Sequence, residues 1–156
     1  MYTDITKAFD SVSHPKLITA LRSYGLNAQL LEWIKNFLSN RHQVVKIKSS
    51  ISPPLPILSG VPQGSVLGPL LFIIFINDII LQTQSNNNVK IALFADDTKL
   101  FSNNPDDLQT CLDSFNSNIE QYQLKLAPHK SVLSFPFLKR MTQVQDPKIF
   151  TSIRHP

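Results

Sequence analysis

Two adjacent acids, Asp96 and Asp97, interrupt an otherwise apolar stretch. Val89-Lys90-Ile91-Ala92-Leu93-Phe94-Ala95 precedes them and Thr98-Lys99-Leu100-Phe101 resumes the pattern beyond. Residues of strand preference on both sides of a short acidic break predict a β-hairpin with the acids at its bend. Side chains alternate along a strand, so Asp96 and Asp97 need not face the same way; one can bind a cation while the other braces it. Taken alone, an Asp-Asp pair in a turn is more often plain turn chemistry, because Asp tolerates unusual backbone angles. A hard cation such as Mg²⁺ prefers oxygen ligands, typically one or two protein carboxylates plus phosphates and water, so a metal reading requires a second acidic strand. Asp4, within Thr3-Asp4-Ile5-Thr6-Lys7-Ala8-Phe9-Asp10, can supply it.

The chain has 156 residues, 42% hydrophobic and 17% charged, which suits one globular domain with a real core and excludes a disordered chain. Its net charge of +4 is unevenly spread. Lys7, Lys16, Arg22, Lys35, Arg41, Lys46 and Lys48 crowd the first third, and no Lys or Arg occurs between Ser49 and Val89. Such a cluster attracts a polyanion or is a scatter of solvated lysines; composition alone leaves both open. The lone cysteine, Cys111, excludes an intramolecular disulfide and a multi-cysteine zinc site, and reads as a small buried apolar residue. No basic-then-apolar leader follows Met1, so an intracellular, non-secreted protein is expected. The most apolar run, Leu70 to Ile76, is far too short to span a bilayer, so no membrane partner is expected.

Taken in order, the chain starts with Asp4 only three residues from its beginning, closer than a core strand normally allows, so an upstream segment is expected. Ser13 or His14 then caps a helix with Pro15 in its first turn; Leu17, Ile18, Leu21 and Tyr24 mark its inner face and Gly25 ends it. Asn27 caps a second helix with Leu30, Leu31, Ile34 and Leu38 at helical spacing, and Trp33 and Phe37 are expected to pack. Alternation from His42 to Lys48 predicts one strand, Val45 and Ile47 on one face and Lys46 and Lys48 on the other. That basic face follows a nucleic-acid backbone or guards a sheet edge. Pro53, Pro54 and Pro56 hold the chain extended until Ser59. Ser59-Gly60-Val61-Pro62-Gln63-Gly64-Ser65-Val66-Leu67-Gly68 then places three of the four glycines within nine residues. This allows backbone to lie against a ligand, or simply the turns a helix start needs. The helix from about Leu70 to Leu81 is apolar nearly all round, which predicts cover on several sides. Past the acidic hairpin, Pro105-Asp106-Asp107 opens a helix whose buried stripe is Leu108, Cys111, Leu112, Phe115 and Ile119, so those two acids read as helix-start chemistry. Lys130 to Phe135 suits a final short strand, and residues 136–156 form an unassigned C-terminal tail.

With Asp4, the Gln-Gly loop and the Asp-Asp hairpin in that order, the sequence resembles the palm of a reverse transcriptase, of the non-LTR (LINE-type) retrotransposon kind. The resembling stretches are TDITKAFDSVSH, WIKNFLSNRHQVV, SGVPQGSVLGPLLF, FADDTKLF and, more weakly, YQLKLAPHKS. The resemblance implies an α+β fold: a palm-like antiparallel sheet packed on helices, lacking fingers and thumb, with a partial domain over residues 1–135. It implies an RNA-directed DNA polymerase that adds deoxynucleotides to a primer 3′-hydroxyl, with this chain alone, lacking fingers and thumb, expected to be inactive or weakly active. Asp4 and Asp96 correspond to the principal metal ligands and Asp97 to the second acid of the hairpin, all three catalytic, around two Mg²⁺ ions for which Mn²⁺ can substitute. Phe9 corresponds to the aromatic that screens the sugar 2′ position, and Pro62, Gln63 and Gly64 to the loop beside nucleotide and template. Lys130 corresponds to a proton donor, although Ala127 and His129 depart from the residues often seen beside it. The implied partners are an RNA template, a DNA primer and deoxynucleoside triphosphates.

A non-catalytic remnant of such an element, with at most weak nucleic-acid binding, is the main alternative. A group II intron maturase shares the palm logic but fits the Ser59–Phe72 wording less well. An isoprenoid synthase would want another acid four residues after Asp96, where Leu100 stands, and an aspartyl-nucleophile phosphatase needs its acids separated by one residue.

Overall fold

A computed structural model of the chain describes residues 1–83 and 88–127, together with the backbone of two short strands further on. In chain order the elements are β1 (Tyr2–Thr3), a 3-10 helix (Ala8–Ser11), α1 (His14–Ser23), α2 (Ala28–Leu38), β2 (His42–Gln43), β3 (Lys46–Ile47), β4 (Ser50–Ile51) and β5 (Leu55–Pro56). They continue with α3 (Leu67–Gln82), β6 (Lys90–Phe94), β7 (Asp97–Phe101), α4 (Pro105–Gln121), β8 (Val132–Leu133) and β9 (Thr142–Gln143). The mixture is α+β with antiparallel pairing throughout, as expected. The chain divides into two compact units: Met1–Ala8 with Ile76–Pro156, and Phe9–Phe75.

The first unit is built on a five-stranded sheet in the order β6-β7-β1-β8-β9. The predicted hairpin is its most regular part: β6 and β7 pair from Lys90↔Phe101 to Phe94↔Asp97, so the turn is Ala95 and Asp96, and Asp97, expected at the bend, is instead the first residue of β7. β1 reaches the sheet from the far end of the sequence and lies between β7 and β8. β8 falls inside the stretch expected to form a last strand, and β9 falls within residues whose sequence shows no pattern. Strands of two residues are too short to reveal an alternation. On one face α4 packs against β7. Its start is fixed by Asn104, whose side chain accepts from the Asp106 amide at 2.9 Å, and Asp106 and Asp107 occupy the first turn, where negative charge meets the positive helix end. Cys111, Leu112, Phe115 and Ile119 are buried as predicted. Cys111 and Leu112 join Val89 and Leu100 in one cluster, with Met1, Ile91 and Leu108 packed against it. Each fully buried large side chain of this kind stabilises by about 1.5–3 kcal/mol. Burial also pushes the Cys111 thiol above its ordinary value, so it is an inert core residue.

In the second unit α1 packs on α2. Leu17, Ala20 and Leu21 of α1 and Leu31, Ile34 and Leu38 of α2 are buried. The Asn27 side chain accepts from the Leu30 amide at 2.9 Å, the predicted cap, and Gly25, at φ +85°, follows the end of α1.

Three expectations are corrected. Leu30, expected on the inner stripe of α2, is exposed; Trp33, itself 54% exposed, packs by stacking on Phe37 at 5.9 Å one helical turn on. The single strand over 42–48 is instead two short ladders, β2 with β5 and β3 with β4. Lys48 takes a left-handed turn, φ 55°, so the chain folds back at once, and Val45 and Ile47 are as exposed as the lysines. On α3, Leu71, Phe72, Phe75, Ile76 and Ile79 form a buried stripe, whereas Leu70, Ile73 and Leu81 are each more than half exposed. An all-apolar helix therefore does not imply all-round cover among the described residues. None of the described helices is long and apolar enough to cross a membrane.

Candidate active site

The acids of the first unit are brought together by strand register. β1 pairs with β7 as Tyr2↔Lys99 and Thr3↔Thr98; one more step places Asp4 across from Asp97, beside the turn that carries Asp96. From the other side Asp4 is tied by backbone: its carbonyl accepts from the Ala127 amide at 2.8 Å, Ile5 bridges Leu126, and the Thr6 amide donates to the Lys125 carbonyl at 2.8 Å. Asp4 is thus only 5% exposed, although ionisable.

The turn itself is strained. Ala95 sits at φ 53°, a left-handed conformation that costs a residue with a side chain about 1–2 kcal/mol. Strain of this size persists where the surroundings over-determine the geometry, and such places are often functional. Here the β6–β7 ladder supplies the constraint.

The side chains of Asp4 and Asp96 lie within hydrogen-bonding reach. Burial pushes the Asp96 carboxyl above its ordinary value, opposed by a backbone hydrogen bond at Asp96 itself; the charge of Asp4, the shared hydrogen bond and the charge of Asp97 push it further up. Asp97 is engaged differently. Its carboxylate accepts from the Tyr2 phenol, whose pKa is pushed up to about 12, first by that hydrogen bond, then by desolvation, then by the charges of Asp97, Asp4 and Asp96. One phenol therefore feels all three acids. Lys99 places its Nζ 5.6 Å from the centre of the same ring.

Two carboxylates that crowd each other at a half-buried turn are a site with surplus negative charge, which fits a hard divalent cation. Asp4 and Asp96, with Asp97 beside them, are the residues that could hold one. Among the described residues no group of three or more His, Cys, Asp and Glu side chains is arranged to hold a metal ion, so the site is a pair of acids with a braced third.

Phe9, Pro62, Gln63 and Gly64 lie in the second unit. Phe9, on the 3-10 helix, stacks on Phe72 with ring centres 4.1 Å apart and planes 19° from parallel. Pro62, Gln63 and Gly64 form the loop before α3, with Gly64 at φ +79°. Gln63 is exposed, and its amide donates to Asp10 Oδ1 at 2.8 Å. The Pro62 carbonyl accepts from Ser65 Oγ at 2.7 Å, and that oxygen in turn accepts from the Gly68 amide at 2.9 Å. Lys130 lies outside the described residues.

Sequence reasoning missed Asp10, His14 and Arg41 as loop supports. Asp10 holds Gln63. His14 and Arg41 both meet the Gly60 carbonyl, at 2.8 Å each. Their partners lie tens of residues away, so no local pattern announces them.

The reverse transcriptase (RNA-dependent DNA polymerase) family matches residues 1–149. The chain belongs to the reverse transcriptase family. This reverse transcriptase chain is 34% identical, over 139 residues, to the RNA-directed DNA polymerase from mobile element jockey of Drosophila melanogaster, covering 83% of the chain and 15% of that relative. It is 31% identical over 157 residues to the probable RNA-directed DNA polymerase from transposon BS of the same organism, covering 94% and 17%. A third relative, a retrovirus-related Pol polyprotein from a type-1 retrotransposable element R2 of Popillia japonica, is 27% identical over 136 residues, covering 81% and 22%. The resemblance to reverse transcriptases of non-LTR retrotransposons is borne out. The chain spans less than a quarter of the length of these three curated relatives.

Proposed function

We propose that this reverse transcriptase chain carries the nucleotidyl-transfer centre of an RNA-directed DNA polymerase, with Asp4 and Asp96 as the metal-holding acids. The observation that carries the reading is the convergence of these two carboxylates, more than ninety positions apart in sequence, onto one end of the β1–β7 ladder. Asp4 and Asp96 would hold divalent cations there, which when bound would supply activation of the primer 3′-hydroxyl and neutralisation of charge on the leaving pyrophosphate. The chain's own residues do the rest. Asp4, fixed by backbone on both sides, sets the position of the pair; Asp96, on the turn, meets it; Tyr2 holds Asp97 in place as the brace.

In the second unit, Gln63 and its flanking Pro62 and Gly64 are read as the surface that meets template and incoming nucleotide, and Phe9 as the residue that favours deoxynucleotides. The stacking of Phe9 on Phe72 supports the last role, because a ring fixed in place can exclude an extra hydroxyl by shape. The substrates are then an RNA template, a DNA primer and deoxynucleoside triphosphates.

Primer extension on an RNA template with deoxynucleotides and Mg²⁺ tests the reading. Incorporation by the chain that disappears in Asp96→Asn supports it. No incorporation at any enzyme concentration contradicts it and favours a non-catalytic remnant.

A further inference from the structure

The Gly60 carbonyl sits at the meeting point of three elements. Arg41 Nη2 donates to it at 2.8 Å, His14 Nε2 approaches it at 2.8 Å, and those two nitrogens are 3.2 Å apart. The donor roles follow from elementary chemistry. Arginine only donates and a carbonyl only accepts, so the histidine nitrogen at 2.8 Å from that oxygen must carry its hydrogen there. The Arg41–His14 approach is then packing of two donors, and both lone pairs of the Gly60 oxygen are filled. Arg41 is itself anchored: its Nε donates to the Leu38 carbonyl at 2.8 Å, at the C-terminal end of α2. His14 is the first residue of α1.

The other side of the loop is stitched to the 3-10 helix and the residue after it. The Gly60 amide donates to the Val12 carbonyl at 2.8 Å, the Val61 amide to the Phe9 carbonyl at 2.9 Å, and Ser59 Oγ to the Asp10 carbonyl at 2.8 Å. Gly60 has φ +83°, and a Cβ there would lie 2.8 Å from the Asp10 Cα and carbonyl oxygen, so no side chain fits. Glycine is thus required for the close approach, but it also leaves the backbone free to adopt many other conformations. Something must select this one.

We propose that Arg41 and His14 form a clamp on the Gly60 carbonyl, and that Arg41 is a positioning residue that fixes the Gly60–Gly64 loop so that Gln63 is presented to the incoming nucleotide. This rests on the reading of Gln63 as nucleotide-facing. Arg41 touches neither substrate nor Gln63; it acts through Gly60, three residues before Gln63. A charged, forked donor suits the task, because one side chain bonds the end of α2 and the loop together.

The test combines amide hydrogen exchange by NMR with steady-state primer extension on the full chain. In Arg41→Ala the Gly60 and Val61 amides are expected to exchange about tenfold faster or more, while the α1 and α2 amides keep their protection, as loss of a charge-assisted hydrogen bond implies. The KM for deoxynucleotide rises by about tenfold with kcat changed by less than about threefold, the signature of lost binding geometry. Arg41→Lys, which keeps one donor, falls between, and His14→Gln, which keeps an N–H, stays close to the unsubstituted chain. Should Arg41→Ala fail to fold, Arg41→Lys and His14→Ala give the same reading with smaller steps. Unchanged exchange at Gly60 and Val61 overturns the clamp. Faster exchange with an unchanged KM overturns the positioning role. Absence of incorporation by the unsubstituted chain overturns the polymerase reading alone, and the exchange data then still decide the clamp.

Discussion

The acid pair and the Gln63 loop are held in place by different physics. Asp4 and Asp96 are aligned by backbone pairing: β1 on β7, and the β6–β7 hairpin beneath the turn. The loop has no ladder, and side chains fasten it to backbone: Arg41 and His14 on the Gly60 carbonyl, Ser59 on Asp10, Gln63 on the Asp10 carboxylate. A ladder fixes acids at a precise register but leaves their charges to repel each other. A side-chain clamp fixes one carbonyl and leaves Gln63 exposed. The first arrangement suits a rigid charge site, the second an adaptable contact surface.

Substitutions test the two arrangements, and the largest effect is expected at the acids. Asp96→Asn lowers nucleotide incorporation at least about a hundredfold, because metal stabilisation of transition-state charge is worth several kcal/mol. The same variant is expected to be more stable than the unsubstituted chain without metal at pH 7. The folded-state pKa of Asp96 is raised, so its contribution to stability is full below the ordinary carboxylate value and is lost as pH rises through the raised one. The difference in thermal midpoint between the two proteins therefore closes as pH falls toward about 4. A less stable variant at pH 7 would mean that the acids are not in conflict.

Gly60→Ala tests the loop. A left-handed φ together with a Cβ 2.8 Å from Asp10 backbone is expected to cost about 2–4 kcal/mol, read by chemical denaturation. A cost below about 1 kcal/mol would show that the loop yields, and that the clamp is weaker than the ladder.

A subtler effect belongs to Tyr2. The Asp97 hydrogen bond is the first cause that pushes its phenol up to about 12, and Asp97→Asn should bring it back toward the ordinary value of about 10, seen as ultraviolet absorbance of tyrosinate. An unmoved titration would remove Tyr2 as the brace. The smallest effect is at the turn: Ala95→Gly relieves the left-handed strain and stabilises the hairpin by about 1 kcal/mol or less, since glycine also loses more freedom on folding.

The same contrast explains how much could be read from the sequence. The hairpin was legible because strand preference and a two-residue acidic break are local signals, and α4 because Cys111, Leu112, Phe115 and Ile119 repeat at helical spacing. That Asp4 belongs beside Asp96 came from the chemistry of cation ligands and from the family resemblance, since no period links residues so far apart. The strand expected over 42–48 is interrupted at Val44 and Val45, where the register slips by one residue between the β2–β5 and β3–β4 ladders, and alternation in a single sequence does not report such a slip. Leu30 was misplaced because helical spacing alone does not say how wide the buried stripe of α2 is, while Trp33 packs by stacking on Phe37 one turn on. Asp10, His14 and Arg41 were invisible as loop supports because their hydrogen bonds close gaps of 19 to 53 residues onto backbone and amide groups that every loop possesses.

The central claim is that Asp4 and Asp96 jointly hold a divalent cation. Titration of the chain with Mn²⁺, followed by electron paramagnetic resonance of the free ion, tests it without requiring turnover. Saturable binding that is lost in Asp4→Asn and equally in Asp96→Asn is the expected result; binding that survives either substitution unchanged would contradict it.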